Sequence, residues 1–203
     1  MAQFIQRLEA GGRPTILGLG DSLTFGYMVP RGYLRVLQDL LTLRSPAAPP
    51  VINNQGACGD TAAGGRARLR HLLEDGGPDL ALIQFGINDA FGGISHEAFR
   101  RDLESLICTF REARPDGEVI LVPAPPLAWP EDDAQVEPFR IAAASAAATQ
   151  GARLAPVDEL FRRDHPGAYL ADGIHPSEKG HAWIAAAVLQ VLEGEEEPGR
   201  TPV

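Results

Sequence analysis

Hydrophobic residues follow two alternating patterns along the chain. Five short runs are apolar almost without interruption, which is typical of strands buried on both faces of a sheet. We predict these strands at residues 15–19, 51–53, 80–85, 119–122 and 153–157. Between them, apolar residues recur every three or four positions, which is the spacing of one helix face. This predicts helices at about residues 33–43, 61–74, 95–113, 133–150 and 178–192, preceded by a short helix or arm within residues 2–13.

Strands that alternate with helices predict the α/β class, with a five-stranded parallel sheet covered by helices on both faces. A chain of 203 residues is long enough to bury one substantial core, so we expect a single domain over residues 1–192. Residues 193–203 are rich in glutamate and contain Pro198 and Gly199, which predicts a flexible acidic tail. In sheets of this kind, ligands bind outside the carboxyl ends of the strands.

The first predicted strand stops abruptly at Gly20-Asp21-Ser22. A serine presented by a sharp strand-to-helix turn can act as a nucleophile, and we expect Gly20 to permit strained backbone dihedrals at that turn. The same residues also fit an ordinary turn in which Ser22 caps a helix. We expect Asp21 to fix the loop as a hydrogen-bond acceptor rather than to take part in catalysis.

Asp172 and His175 are separated by a glycine-containing turn and are followed by Pro176. At this spacing the carboxylate can reach Nδ1 of the imidazole and leave Nε2 free to accept a proton from Ser22. The alternative is a solvated loop that carries a surface histidine. His165, beside Asp164, lacks the three-residue spacing. The remaining histidines fall within predicted helices and are expected to be surface or core residues: His71, His96 and His181.

Acyl transfer also requires hydrogen-bond donors for the tetrahedral oxyanion. If the first three strands lie side by side, the backbone N–H groups of Ser22 and Gly59 and the side-chain amide of Asn88 can form such a hole. Gly59 suits the role because it has no Cβ to obstruct the approach of a ligand. For Asn88 the alternative is a turn or cap residue, and the neighbouring Gly86 is compatible with that.

Four blocks together resemble the SGNH hydrolases, also called the GDSL esterase/lipase superfamily: residues 20–23, 59–61, 86–89 and 172–176. The resemblance extends from Thr15 to about Leu192. It implies a flavodoxin-like α/β/α sandwich, a Ser22–His175–Asp172 triad, and an oxyanion hole formed by Ser22, Gly59 and Asn88. It also implies ester hydrolysis without a metal or another cofactor. Cys58 departs from many relatives, which often have a small residue such as serine at that position.

Large apolar side chains occur in the loops expected at the same edge of the sheet. We predict that they contact substrate, although residues of this kind are equally common as core plugs. They are Phe25, Tyr27, Met28, Phe91, Leu127 and Trp129.

The net charge of −9, from 27 acidic and 18 basic residues, argues against a nucleic-acid or anionic-membrane partner. The first 14 residues are polar, and no uncharged apolar run reaches 18 residues, so we expect a cytoplasmic protein without membrane insertion. Two cysteines, Cys58 and Cys108, are too few for a disulfide framework and lack metal-ligand spacing.

The sequence therefore predicts a serine esterase that acts on small or short-chain esters through an acyl-enzyme. Lysophospholipase, thioesterase and carbohydrate O-deacetylase activities remain alternatives at the same site. A non-catalytic module that binds a small ligand is a further alternative, although the chain has no G-x-G-x-x-G or Walker A run. A catalytically idle relative with a structural role is another, but an intact set of Ser22, His175 and Asp172 argues against it. The oligomeric state is left open.

Overall fold

The computed structural model describes residues 2–74, 77–165 and 168–194. Five parallel strands form one sheet in the order β2-β1-β3-β4-β5. The strands are β1 (Thr15–Gly20), β2 (Val51–Gly56), β3 (Leu80–Gln84), β4 (Glu118–Leu121) and β5 (Arg153–Leu154). The helices are α1 (Gln3–Glu9), α2 (Ser22–Phe25), α3 (Tyr33–Arg44), α4 (Ala62–Leu72), α5 (Ile87–Phe91), α6 (His96–Ala113), α7 (Pro130–Gln150), α8 (Val157–Phe161) and α9 (Glu178–Glu193).

Each face of the sheet packs against its own layer of helices. On β1, Ile16 faces a core that also contains residues of α1, α3 and α9. Its neighbour Leu17 faces a second core that contains residues of α4, α6 and α7. Successive side chains of a strand point to opposite faces, so this alternation produces three layers. The predicted α/β fold with a five-stranded parallel sheet is thus confirmed.

The two edge strands differ from the prediction. β2 is twice as long as expected because it pairs with the whole of β1, from Thr15 with Val51 to Gly20 with Gly56. Most of its side chains are partly or fully exposed, so it lacks the apolar pattern of a buried strand. β5 has only two residues, and the predicted strand residue Val157 instead begins α8. Pro156, directly before α8, has no N–H and so cannot donate a further hydrogen bond to β4, which is consistent with the early end of β5.

Three short helices, α2, α5 and α8, are absent from the sequence prediction because four or five residues are too few to display a helical period. α7 begins at Pro130 rather than at residue 133. A proline is well tolerated in the first turn, where its missing N–H would have no intrahelical partner. At the other end of the chain, Glu193 belongs to α9, and Gly194 ends that helix with φ of 73°. The remainder of the predicted tail, residues 195–203, lies outside the described residues.

Candidate active site

Strands β2, β1 and β3 are neighbours and place three loops at one edge of the sheet. Ser22 follows the end of β1, Gly59 follows β2, and Asn88 lies in α5 after β3. All three strands are parallel, so their carboxyl ends meet at the same edge. The condition for a shared oxyanion hole, that the first three strands lie side by side, is met.

Ser22 begins the single-turn helix α2, two residues after Gly20 ends β1. Asp21 caps that helix, and its Oδ1 accepts a hydrogen bond of 2.9 Å from the N–H of Leu23. A Cβ on Gly20 would lie 2.1 Å from Oγ1 of Thr24 and 2.5 Å from the carbonyl oxygen of Gln84. Gly20 does not have a positive φ, so our expectation of strained dihedrals there is wrong. Close packing is what requires a glycine at this turn.

The candidate triad is assembled by hydrogen bonds. Oγ of Ser22 lies 3.1 Å from Nε2 of His175, and Nδ1 of His175 lies 2.8 Å from Oδ2 of Asp172. An ionised carboxylate can only accept, so Nδ1 carries the proton and Nε2 is left to accept from the serine hydroxyl. Residues 153 positions apart in sequence therefore meet in the geometry that nucleophilic catalysis requires.

Asp172 is held by its own turn. Its Oδ1 accepts from the backbone N–H groups of His175 at 2.7 Å and Ile174 at 3.0 Å. Burial alone would raise the pKa of Asp172, but these two bonds and the bond to the imidazole together lower it below its ordinary value. The carboxylate thus stays ionised and can stabilise a positive charge on His175.

The predicted oxyanion donors converge on the same side. Gly59 has φ of +80°, a conformation that glycine adopts without cost, and a Cβ there would meet no atom within 4 Å. The Nδ2 amide of Asn88 donates one of its two hydrogens to the carbonyl oxygen of Asp60 at 2.9 Å. Ser22 is the first residue of α2, so no carbonyl within the helix accepts its N–H.

Comparison with known proteins assigns the chain to a family over a range that contains all of these residues. The family model described as the GDSL-like lipase/acylhydrolase family matches residues 19–183. The chain is also 31% identical over 179 residues to an arylesterase of Vibrio mimicus, covering 87% of each chain. The chain belongs to the GDSL-like lipase/acylhydrolase family. It is accordingly a carboxylic ester hydrolase.

Two further similar proteins are also named as esterases. The chain is 30% identical over 168 residues to Esterase TesA of Pseudomonas aeruginosa, covering 80% of each chain. A crystal structure of TesA superposes with a TM-score of 0.74 at 27% identity, covering 89% of this chain and 98% of that one. The acetylxylan esterase Axe2 of Geobacillus stearothermophilus, at 21% identity, has a TM-score of 0.76 over 93% of this chain and 97% of that one and supports the fold alone.

Five of the six apolar residues predicted to contact substrate are exposed at or near this edge of the sheet. We call them the apolar rim: Phe25, Tyr27, Met28, Phe91 and Trp129. The ring of Tyr27 lies 4.9 Å from the imidazole ring of His175, centre to centre. Trp129 covers Gly173, where a Cβ would lie 2.4 Å from the indole. Leu127 departs from the prediction because it is only 3% exposed and packs in the core, so we exclude it from the apolar rim.

Two buried carboxyl groups lie behind the candidate nucleophile and hole. Burial raises the pKa of Asp21 to about 7, the nearby charges of Asp89 and Asp60 add to that rise, and the Leu23 N–H opposes it. Burial likewise raises the pKa of Asp89 to about 6, although its carboxylate accepts from the N–H of Ala62. Asp21 fixes the Ser22 turn, as expected, and Asp89 joins α5 to the start of α4.

The other histidines lie apart from this arrangement. His181 is fully buried in α9, and its Nδ1 accepts from the N–H of Tyr33 at 3.2 Å. Its burial lowers its pKa to about 4. His71 is exposed beside Glu74, His96 begins α6, and His165 follows α8. The two thiols, Cys58 and Cys108, are exposed and unpaired with one another.

Within residues 2–74, 77–165 and 168–194, no group of three or more His, Cys, Asp or Glu side chains is arranged to hold a metal ion. None of the helices in those ranges combines the length and apolar character needed to cross a membrane.

Sequence reasoning missed the polar residues that support the site. Asp60 and Arg68 link the Gly59 loop to the end of β1. Arg140 links α7 to the proline-rich loop before Trp129. The sequence signal for the Asp60–Arg68 pair was an aspartate directly after Gly59 with arginines on the following helix. Charged residues on a solvent-exposed helix face give the same pattern.

Proposed function

We propose that the chain hydrolyses short-chain carboxylic esters through an acyl-enzyme on Ser22. The observation that carries the proposal is the chain of hydrogen bonds from Ser22 to His175 to Asp172 at the carboxyl end of β1. Membership of an acylhydrolase family supports the reaction type.

In the first half-reaction, Oγ of Ser22 attacks the ester carbonyl while Nε2 of His175 takes the hydroxyl proton. The carbonyl oxygen becomes an oxyanion and receives hydrogen bonds from the N–H groups of Ser22 and Gly59 and from the free amide hydrogen of Asn88. When the tetrahedral intermediate collapses, the bond to the alcohol breaks and His175 returns the proton to the leaving alcohol. Ser22 is then esterified.

In the second half-reaction, His175 takes a proton from water, and the resulting hydroxide attacks the acyl carbonyl. The second tetrahedral intermediate collapses, the proton returns to Oγ of Ser22, and the acid leaves. Asp172 holds the imidazole in the required tautomer during both steps and stabilises its charged form.

A small acyl group is the best-supported substrate feature. The bovine protein named isoamyl acetate-hydrolyzing esterase 1 homolog is 26% identical over 208 residues, covering 89% of this chain and 82% of that one. On the leaving-group side, Tyr27 contacts His175 and Trp129 covers the turn that carries it. The alcohol departs beside His175, so these two rings are suited to contact the alcohol rather than the acyl chain.

Hydrolysis of p-nitrophenyl esters from acetate to palmitate by the wild-type protein tests the proposal. We expect a maximum at short chains and a loss of at least about 10⁴-fold in kcat for Ser22→Ala. Ser145→Ala, an exposed helical serine on α7, is the matched control and should keep full activity. Activity of Ser22→Ala within a few-fold of wild type would overturn the proposed nucleophile. A maximum at palmitate would overturn the short-chain preference while leaving the nucleophile intact.

A further inference from the structure

Arg68 on α4 joins two of the loops that form the candidate oxyanion hole. Its Nε donates to Oδ2 of Asp60 at 3.0 Å, and its Nη2 donates to the carbonyl oxygen of Gly20 at 3.1 Å. Nη2 also lies 2.9 Å from Oδ2 of Asp60, which completes an ion pair. Gly20 ends β1 two residues before Ser22, and Asp60 directly follows Gly59. One guanidinium group therefore spans from the nucleophile strand to the Gly59 loop.

Asp60 extends this connection to the third donor. Its carbonyl oxygen accepts the Nδ2 hydrogen bond from Asn88, which fixes the direction of that amide. Its Oδ1 accepts from the N–H of Thr61, and its own N–H donates to Ala57, closing the turn that contains Gly59. A displacement of Asp60 would thus move the Gly59 N–H and the Asn88 amide together.

The chemistry of the guanidinium suits this task. Its donors lie in one plane and in a fixed fork, so the two hydrogen bonds constrain both partners in direction as well as in distance. The side chains of Arg68 and Asp60 are 28% and 16% exposed, so the pair is shielded from most of the solvent. Because its two hydrogen bonds go to different loops, the guanidinium fixes the position of the Gly59 loop relative to the end of β1.

Arg68 also faces a concentration of negative charge. Asp60 and Asp89 both raise the pKa of Asp21 through their charges, so three carboxyl groups influence one another behind the site. Ester hydrolysis adds a further negative charge, on the oxyanion, at the same edge of the sheet. The positive charge of Arg68, paired with Asp60, offsets part of this negative charge.

We propose that Arg68, through Asp60, is a positioning residue that holds the Gly59 and Asn88 donors in register with Ser22. This inference rests on the proposed esterase function. Arg68 does not touch substrate in this account and acts only through the donors of the hole.

The test compares Arg68→Met with Arg66→Met, using p-nitrophenyl acetate. Arg66 is the matched control because it lies on the same helix and also pairs with an aspartate, Asp102, but on the side facing α6. We expect Arg68→Met to lower kcat about 10-fold or more with KM within about 2-fold, because transition-state donors are displaced. Arg66→Met should keep kcat within about 2-fold. Equal effects of the two substitutions would overturn the inference.

A double-mutant cycle with Asn88→Ala separates positioning from a general structural role. If Arg68 acts through the hole, Arg68→Met should lower kcat by a smaller factor in the Asn88→Ala background than in the wild type, because only the Gly59 donor is left to be displaced. A full 10-fold further loss in that background would indicate independent effects and contradict the proposal. A structural role would also lower the melting temperature without this non-additivity.

Asp60→Asn provides a second variant if Arg68→Met does not fold. It keeps the acceptor for Thr61 but removes the charge paired with Arg68, so we expect lower kcat and weaker inhibition by a trifluoromethyl ketone, which forms a tetrahedral adduct with an active-site serine. Unchanged kcat and inhibition would overturn the proposal. Activity in Ser22→Ala would instead overturn the esterase mechanism itself, so the two failures are distinguishable.

Discussion

At the scale of single residues, Asp21 is a group whose ionisation opposes folding. Asp21 is almost fully buried directly before Ser22, and its pKa in the folded protein is about 7, against an ordinary value of 3.8. Between these two pH values the folded protein holds a proton that the unfolded chain has released. The contribution of Asp21 to the free energy of unfolding therefore falls as pH rises from about 4 to 7.

Asp21→Asn should remove this dependence, because the amide stays neutral and its oxygen can still accept from Leu23. We expect the variant and the wild type to be similarly stable near pH 4, and the variant to become progressively more stable as pH rises to 7 and above. His181, with its lowered pKa, acts in the opposite direction between about pH 4 and 6.5, and its contribution cancels in the difference. Denaturant unfolding from pH 4 to 8 measures that difference.

Asp116→Asn, in an exposed turn, controls for the loss of one negative charge. A stability difference between Asp21→Asn and the wild type that does not vary with pH would contradict the assignment of a buried, protonated Asp21.

Gly59 offers a residue-scale test of the hole. In Gly59→Ala the new methyl group meets no neighbouring atom, but the residue must bear a φ of +80°. We expect the backbone to relax, the Gly59 N–H to turn away from the oxyanion and kcat to fall about 10-fold or more. Gly151, the residue directly after α7, has a similar φ of +60° and equally open space. Gly151→Ala should therefore have a comparable cost in stability, about 1 kcal/mol, with normal kcat. Equal kcat in the two variants would contradict a role for Gly59 in the hole.

At the same scale, the catalytic candidates could be predicted from the sequence, but the polar residues that hydrogen-bond to their loops could not. Ser22, His175 and Asp172 were recognisable because a nucleophile and its base need particular residue types in particular turns. The interactions of Arg68 were not recognisable, because one of its partners is the carbonyl oxygen of Gly20, and every residue type supplies a carbonyl.

At the scale of elements, the loop before α7 is held by one buried arginine. Arg140 donates from Nε to the carbonyl oxygen of Ala124 and from Nη2 to that of Pro125, both at 3.0 Å, and it pairs with Asp133 and Glu137. Downstream in this loop, Ala128 donates to the carbonyl oxygen of Gly173 at 2.9 Å, within the Asp172–His175 turn. The loop thereby supports the turn that carries the candidate base.

Arg140→Met should lower the free energy of unfolding by about 3–5 kcal/mol, because it leaves two carbonyl groups without their donor and Asp133 without its paired charge. Arg162→Met is the control, since Arg162 also contacts Glu137 but its side chain is half exposed. We expect the control to cost no more than about 1 kcal/mol. Urea unfolding followed by circular dichroism measures both free energies. Equal losses of stability in the two variants would contradict the claim that Arg140 holds the loop before α7.

The elements themselves were predictable to different degrees. Long helices with a regular apolar face, such as α6 with its Ser95 cap, were predicted within a residue of the observed ends. The short helices α2 and α5 were not predicted, although they position Ser22 and Asn88. A single turn is specified by contacts such as the Asp21 cap, and those contacts depend on the tertiary structure.

At the scale of the whole molecule, the parallel sheet brings four distant blocks of sequence to one edge. Strands β1, β3 and β4 were predictable because they are buried on both faces and therefore continuously apolar. The full length of β2 was not, because its residues 53–55 are polar and lie at the sheet edge. The pairing of β2 with β1 is nevertheless necessary for the candidate oxyanion hole, because it brings the Gly59 loop beside Ser22.

Trapping of the acyl-enzyme is the most direct test of this account. The protein is mixed with p-nitrophenyl acetate, quenched in acid within milliseconds and digested for mass spectrometry, with Ser22→Ala and Ser145→Ala treated in parallel. We predict one acetyl group on the peptide that contains Ser22, present in the Ser145→Ala control and absent from Ser22→Ala. An acetyl group on another residue of an active enzyme, or hydrolysis by Ser22→Ala at close to the wild-type rate, would contradict it.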